Sequence, residues 1–146
     1  MNILVGLDFS AATPDLLRVA AQQAKAQLAQ LWLIHVAEAE PDFIGYRAGP
    51  TSVREQVAHE FRNEHQELQQ HADALRQTGL QVTALLERGQ VAETLLQAAE
   101  QIKADLVIVG SHGRGALLHL LLGSVSTQLL KRVTCPVLIV PVHESA

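Results

Sequence analysis

Five short apolar runs alternate with segments of helical periodicity along the 146 residues of the chain. Short runs of this kind are typical of buried strands, and strands that alternate with helices form a parallel sheet with helices on both faces. The predicted strands are residues 3–7, 31–36, 80–86, 106–109 and 136–140. The sequence therefore predicts an α/β protein with three layers, an open, twisted, five-stranded parallel sheet and right-handed crossovers.

The segments between these runs carry the signals of helices. The first helix is predicted to begin at Thr13 as a hydroxyl cap, with Pro14 in the first turn and Asp15 near the positive end of the helix dipole. A long helix is predicted over residues 52–77, where apolar side chains recur at helical spacing. Gly79 is expected to end it.

The histidines do not form a pattern typical of a metal site. His59, His65 and His71 stand six residues apart on the predicted long helix, whereas residues on one helix face stand three or four apart. His35 lies inside the second strand, where a lone histidine is more often structural than a ligand. We therefore predict no zinc site among these residues.

Composition excludes several classes of function. A net charge of -4 disfavours nucleic-acid binding, which needs a basic face, and an aromatic content of 3% leaves few platforms for stacked bases. No apolar run reaches the ~18 residues of a membrane helix, and no signal peptide is evident. The single cysteine, Cys135, excludes an internal disulfide. We expect one domain over residues 1–146, located in the cytoplasm.

Residues 105–126 carry the strongest functional signal. An apolar run stops at Gly110, and Gly113 and Gly123 follow before a helical pattern that begins near Ser124. Glycine lets the backbone turn sharply and lets a ligand approach it closely. The free N–H groups of a helix start carry partial positive charge, so this arrangement suits a phosphate.

The same residues also permit a purely structural interpretation. Glycines after a strand are commonly turn residues, and Ser124 or Ser126 could be a plain helix cap. The spacing is not that of a Walker A loop, because no Gly-Lys-Ser/Thr follows, and it is not the dinucleotide fingerprint, because Leu118 stands where the third glycine should be. The residues by themselves leave phosphate binding open.

This stretch resembles the nucleotide-binding branch of the universal stress protein family. The family pattern G-x2-G-x9-G-(S/T) is present in full as Gly110, Gly113, Gly123 and Ser124. The opening N-I-L-V-G-L-D-F-S and the later K-R-V-T-C-P-V-L-I-V-P are also similar to that family. The resemblance implies strand order 3-2-1-4-5, an adenine nucleotide α-hydrolase-like (Rossmann-like) fold, and ATP, ADP or AMP as ligand. It also implies a homodimer through the last strand, residues 136–140.

In that strand order, the carboxyl ends of strands 1 and 4 meet where the winding reverses, which is the usual ligand crevice. Asp8 follows strand 1 and Gly110 ends strand 4, so both are expected there. Asp8 could accept a ribose hydroxyl, hold Mg²⁺ or merely cap its own turn. The irregular residues 38–51 would partly cover a ligand. The cofactor-binding residues that we predict are Leu7, Asp8, Phe9, Ser10, Val36, Val109, Gly110, His112, Gly113, Arg114, Gly123, Ser124, Val125 and Ser126.

Three functions are compatible with such a site. The first is an ATP-binding regulatory protein of the stress response, which we favour. The second is a slow ATP-hydrolysing enzyme, for which Asp8, His112 and His119 form a thin set of candidates without orienting partners. The third is a dimeric scaffold without a ligand. A phosphorylated receiver domain is set aside, because Asp8 stands alone and Pro141 follows strand 5 where a lysine is required.

Overall fold

A computed structural model describes residues 1–37, 51–111 and 124–141, with residues 51–54 and 124–126 described through their backbone only. Strands and helices alternate throughout these ranges. In chain order the elements are β1 (Asn2–Leu7), α1 (Thr13–Gln27), β2 (Gln30–Ala37), α2 (Thr51–Arg76), β3 (Val82–Arg88), α3 (Val91–Gln101), β4 (Leu106–Gly110), α4 (Ser124–Arg132) and β5 (Val137–Val140).

The five strands form one parallel sheet in the order β3-β2-β1-β4-β5. This confirms the predicted fold class and the strand order that the resemblance implies. The central strand β1 lies between β2 and β4. Strands β2 and β3 are added on one side of β1 and strands β4 and β5 on the other, so the winding of the chain reverses at β1. A reversal of this kind leaves a crevice at the carboxyl ends of the two neighbouring strands.

Each strand places alternate side chains on opposite faces of the sheet, and both faces are covered. Ile3 and Val5 of β1 pack with α1 and α2 in one core, whereas Leu4 of β1 packs with α3 and Leu129 of α4 in the other. Side chains of the central strands are almost wholly excluded from water. Burial on both faces is the reason why the strands read as continuous apolar runs.

The two edge strands of the sheet differ in character. β3 ends in Glu87 and Arg88, which are both exposed, and the Arg88 guanidinium lies 4.1 Å from the centre of the Phe61 ring. β5 is uncharged and only 4 residues long, and three of its side chains are partly exposed. Charged side chains discourage pairing of an edge with another chain, and β5 has none.

Several strands begin or end one or two residues away from the predicted boundaries. β3 begins at Val82 rather than at residue 80, because its register is set by pairing of Leu31 with Val82 in β2 and β3. β5 begins at Val137, since Pro136 has no N–H and contributes only its carbonyl, which accepts from Val107. The turn at Gly79 after α2 is confirmed, with φ +96°.

The predicted hydroxyl cap of α1 is wrong. Ala12 occupies the cap position without a side-chain hydrogen bond, and Thr13 is already the first helical residue. The Ser10 carbonyl accepts from the Thr13 amide at 3.0 Å, and the Ser10 hydroxyl accepts from the Ala12 amide at 3.3 Å. The Ser10 carbonyl thus satisfies the first helical amide in place of a side-chain cap. The buried Thr13 hydroxyl has no hydrogen-bond partner among the described residues.

The predicted covering segment over residues 38–51 lies outside the described residues except for residue 51. Within the described ranges, no helix has both the length and the apolar character to cross a membrane.

Candidate functional site

The sheet opens between β1 and β4 at its carboxyl end. β1 pairs with β2 as far as Leu7, opposite His35, but it pairs with β4 only as far as Val5, opposite Ile108. β4 stays paired with β5 up to Gly110. Beyond Val5 the two central strands therefore separate, and the crevice between them is bounded by the ends of β1 and β4.

The turn after β1 forms one wall of this crevice. The Asp8 carboxylate Oδ1 accepts a hydrogen bond from the Ser10 amide at 3.0 Å, so Asp8 does cap its own turn. Asp8 lies at the strand end where the sequence placed it, across the opening from Gly110. One carboxylate oxygen thus has a structural role, and a role in ligand binding would be additional to it.

Phe9 adopts a backbone conformation that bulky residues rarely use. Its φ is +58°, in the left-handed region, which costs roughly 1–2 kcal/mol for a residue with a Cβ. The Phe9 ring stacks on the His35 ring with centroids 4.1 Å apart and planes inclined by 25°. Such a contact contributes about 0.5–1.5 kcal/mol beyond burial, which offsets much of the backbone strain.

His35 ties this turn to the sheet and to a helix. The ring is buried, with 6% of the residue exposed. Nδ1 donates to the Leu7 carbonyl at 2.8 Å, and Nε2 lies 3.0 Å from Oε2 of Glu64 on α2. The prediction that His35 is structural is confirmed by these contacts. No cluster of three metal-ligating side chains occurs in the described ranges.

The side chains of Val36 and Val109 belong to the core on the face of the sheet that α3 and α4 cover. Both are buried in the core that α3 and α4 cover, at 8% and 6% exposure. A Cβ added to Gly6 would come within 3.3 Å of Val109 Cγ1 and 3.4 Å of Leu95 Cδ2. The tight packing at Gly6 shows that β1 still lies close to this core at the residue that follows its last pairing with β4.

Comparison with known proteins decides the family. A model of the universal stress protein family matches residues 1–141. The chain belongs to the universal stress protein family. A universal stress protein from Thermus aquaticus is 35% identical over 142 residues, which is 95% of this chain and 97% of that relative. The solved structure of MJ0577 from Methanocaldococcus jannaschii has a TM-score of 0.79 at 26% identity, covering 99% of this chain and 97% of MJ0577.

Two further solved universal stress proteins hold nucleotides. One is in complex with cAMP, with a TM-score of 0.71, 23% identity, and coverage of 97% of this chain and 96% of that one. The other, from Archaeoglobus fulgidus, is in complex with dAMP, with a TM-score of 0.67, 19% identity, and coverage of 95% and 96%. At these identities the similarity to this universal stress protein is one of fold.

The helix that follows the glycine stretch begins at the serines that the sequence analysis placed near its start. α4 starts at Ser124, so Ser124, Val125 and Ser126 form its first turn. Its far end is tied to α3, because Arg132 donates to both carboxylate oxygens of Glu93, at 2.5 and 3.2 Å. The hydrogen bond from Arg132 holds the pKa of Glu93 below its ordinary value. The predicted residues His112, Gly113, Arg114 and Gly123, with His119, lie outside the described residues.

Sequence reasoning missed the contact between His35 and Glu64. A signal for it was present, because Glu64 stands three residues after Phe61 and four before Leu68. That spacing places a carboxylate on the apolar face of α2. A carboxylate on a buried face requires a partner, and the buried histidine of β2 meets that requirement.

Proposed function

We propose that this universal stress protein binds an adenine nucleotide, ATP in the first place, in the crevice between β1 and β4. The carrying observation is the separation of these strands beyond Val5 and Ile108, with Asp8 and Gly110 on either side. A separation of two parallel strands at the point of reversed winding is where α/β proteins bind ligands. The pattern of glycines that begins at Gly110 continues directly into α4.

The phosphates would be held by the glycine stretch and the start of α4. The amides around Gly113, Gly123 and Ser124 are the proposed donors, because a helix start presents free N–H groups and partial positive charge. The hydroxyls of Ser124 and Ser126 would add donors. Arg114 is the proposed contact for an outer phosphate, since a guanidinium pairs well with phosphate oxygens.

The nucleoside would occupy the other half of the crevice. We propose that backbone near Val36 receives the edge of the base and that Val109 contributes apolar contact. Asp8 would accept a ribose hydroxyl or hold Mg²⁺ through its carboxylate. Oxygen donors of this kind are the ones that Mg²⁺ prefers. The complexes with cAMP and dAMP in proteins of the same fold support the choice of an adenine nucleotide.

We further propose a single domain over residues 1–146 that forms a cytoplasmic homodimer with a regulatory role in the stress response. The dimer would form through residues 136–140, because β5 is an uncharged sheet edge with partly exposed apolar side chains. Nucleotide binding would alter the behaviour of that dimer or its choice of protein partner. Slow hydrolysis of ATP is the alternative, and it would be detected as ADP in the bound fraction.

Denaturation of the purified protein tests the assignment directly. We expect released adenine nucleotide, detectable by ultraviolet absorbance and by mass. Absence of nucleotide, together with no calorimetric binding of ATP in the presence of magnesium, would leave only the ligand-free scaffold.

A substitution in the glycine stretch tests the site itself. Gly123→Val should abolish ATP binding and leave the dimer intact, because a branched side chain would fill the space proposed for phosphate. Gln128→Val at an exposed position of α4 is the matched control, since it introduces the same side chain five residues further along. Calorimetry measures the affinity, and size-exclusion chromatography with light scattering measures the dimer. Unchanged affinity in Gly123→Val refutes the proposed site.

A further inference from the structure

We propose that His35 is a positioning residue of the nucleotide site and that Glu64 of α2 holds it in its working orientation. His35 would act through Leu7 and Phe9, which flank Asp8. This inference rests on the proposed nucleotide binding, and it adds a control of that site by a helix outside the crevice.

The hydrogen bonds determine the orientation of the ring. A carbonyl oxygen can only accept, so His35 Nδ1 carries a hydrogen and donates it to the Leu7 carbonyl at 2.8 Å. Nε2 faces Oε2 of Glu64 at 3.0 Å, and this contact requires a proton between the two atoms. Both ring nitrogens are therefore engaged, and neither rotation nor a ring flip is possible without losing a buried hydrogen bond.

The same ring also restrains the residue on the other side of Asp8. The Phe9 ring lies on the His35 ring at 4.1 Å, and the Phe9 backbone has a left-handed φ of +58°. Asp8 thus stands between a carbonyl and an aromatic ring that both contact one imidazole. Its backbone is fixed at both ends, which limits where its carboxylate can point.

Glu64 connects this restraint to α2. The carboxylate is 29% exposed, so the contact lies at the border of the core, where a charge-assisted hydrogen bond is stronger than in water. Of the other charged or titratable groups of α2 near this turn, His71 lies with its ring 6.1 Å from Phe9, and it contacts Glu67 at 3.8 Å. His71 therefore faces the Phe9 ring, and Glu67 is paired with His71.

This arrangement makes the affinity for nucleotide dependent on where α2 sits. A shift of α2 that separates Glu64 from Nε2 would free the imidazole to turn, and the Leu7 carbonyl and Phe9 ring would lose their restraint together. Asp8 would then sample other orientations, and binding would require that they be fixed again at a cost in free energy. A partner protein that contacts α2 would reach the nucleotide site by this route.

Variants at Glu64 separate positioning from simple stabilisation. Glu64→Leu removes the acceptor and should weaken ATP binding about tenfold, which is the size expected for loss of one charge-assisted hydrogen bond. Glu64→Gln keeps a hydrogen bond to the ring, because its amide NH2 can donate to Nε2 of the neutral imidazole whose Nδ1–H donates to Leu7, so its affinity should stay within about threefold of wild type. A role limited to stability predicts no such rescue of affinity.

Two controls on the same helix complete the design. Asp73→Leu removes an acid that contacts Arg76 at 2.7 Å, away from Phe9, and should leave the affinity unchanged. Ala72→Gly replaces a buried residue of α2 by one that is less favourable in a helix, so it should reduce Tm without weakening binding. Affinity is measured by calorimetry with ATP and magnesium, and Tm by circular dichroism on the protein without nucleotide.

The outcomes distinguish the two proposals. If the wild-type protein binds no adenine nucleotide, the proposed function fails, and the positioning role fails with it. If the wild type binds ATP but Glu64→Leu binds it equally well, only the role of His35 and Glu64 is refuted. The same refutation follows if Glu64→Gln is as weak as Glu64→Leu, or if Ala72→Gly weakens binding as much as either.

Discussion

Among the described residues, three other than glycine have a left-handed backbone. Replacing them by glycine should raise the free energy of unfolding at an exposed position and lower it at a packed one. Phe9, Leu28 and Lys103 have φ values of +58°, +53° and +54°. Leu28 ends α1 as its left-handed cap, and its side chain is 91% exposed. Because Leu28 makes no buried contact, its strain has no compensation from packing, whereas the Phe9 ring is stacked on His35.

The expected magnitudes follow from these contacts. Leu28→Gly relieves roughly 1–2 kcal/mol of backbone strain and loses about 0.5–1 kcal/mol through the greater freedom of the unfolded chain. We therefore expect the free energy of unfolding to rise by about 0.5–1 kcal/mol. Phe9→Gly relieves the same strain and has the same cost in unfolded-chain freedom, but it also loses about 1.5–3 kcal/mol of burial and about 0.5–1.5 kcal/mol of stacking. Its free energy of unfolding should fall by about 1–4 kcal/mol.

Urea denaturation followed by circular dichroism measures both effects. The midpoint should increase for Leu28→Gly and decrease for Phe9→Gly, with unchanged slopes if both variants unfold in two states. Lys103→Gly is the control for an exposed left-handed residue outside α1 and should behave like Leu28→Gly. A lower midpoint in Leu28→Gly, or a higher one in Phe9→Gly, would contradict the argument from strain and stacking.

Two further predictions concern single buried groups. Thr13→Val replaces a hydroxyl that has no partner among the described residues with a methyl group of similar size, so the free energy of unfolding should rise by about 1 kcal/mol in urea denaturation. A clear fall would mean that the hydroxyl is paired in solution. Burial raises the pKa of the Cys135 thiol, and the charge of Asp105 adds to this effect. Alkylation by iodoacetamide should therefore be slower than for a free cysteine at neutral pH and should accelerate as pH rises and the thiolate forms; a rate equal to free cysteine at neutral pH would refute this.

Much of the fold was predictable because burial leaves a direct trace in the sequence. The strands of the sheet read as apolar runs, and the predicted long helix at residues 52–77 corresponds to α2 (Thr51–Arg76). The predicted bounds of β3 were less accurate, since the ends of this strand depend on its pairing with β2 rather than on its own alternating pattern. The cap of α1 was misassigned because a hydroxyl residue directly before a proline is typical of a helix cap, whereas the backbone places Ala12 at that position.

The candidate site was predictable where topology alone determines position. Asp8 follows β1 and Gly110 ends the neighbouring strand β4, so their position at the same edge of the sheet needs no knowledge of side-chain packing. The contact between His35 and Glu64 depends instead on how α2 lies across the sheet, and these residues are 29 positions apart. The left-handed backbone of Phe9 could not be predicted either, because this conformation is rare for phenylalanine and is normally adopted by glycine.

The unlike borders of the sheet bear on how large an assembly of this chain can become. Glu87 and Arg88 close one border with opposite charges exposed to water, while β5 leaves the other border apolar. If a second copy pairs its own β5 with the β5 of the first, the charged β3 edge of each copy becomes an outer edge of the combined sheet. Growth by strand addition would therefore stop at two subunits, and the chain would avoid the endless stacking to which a sheet with two apolar borders is exposed.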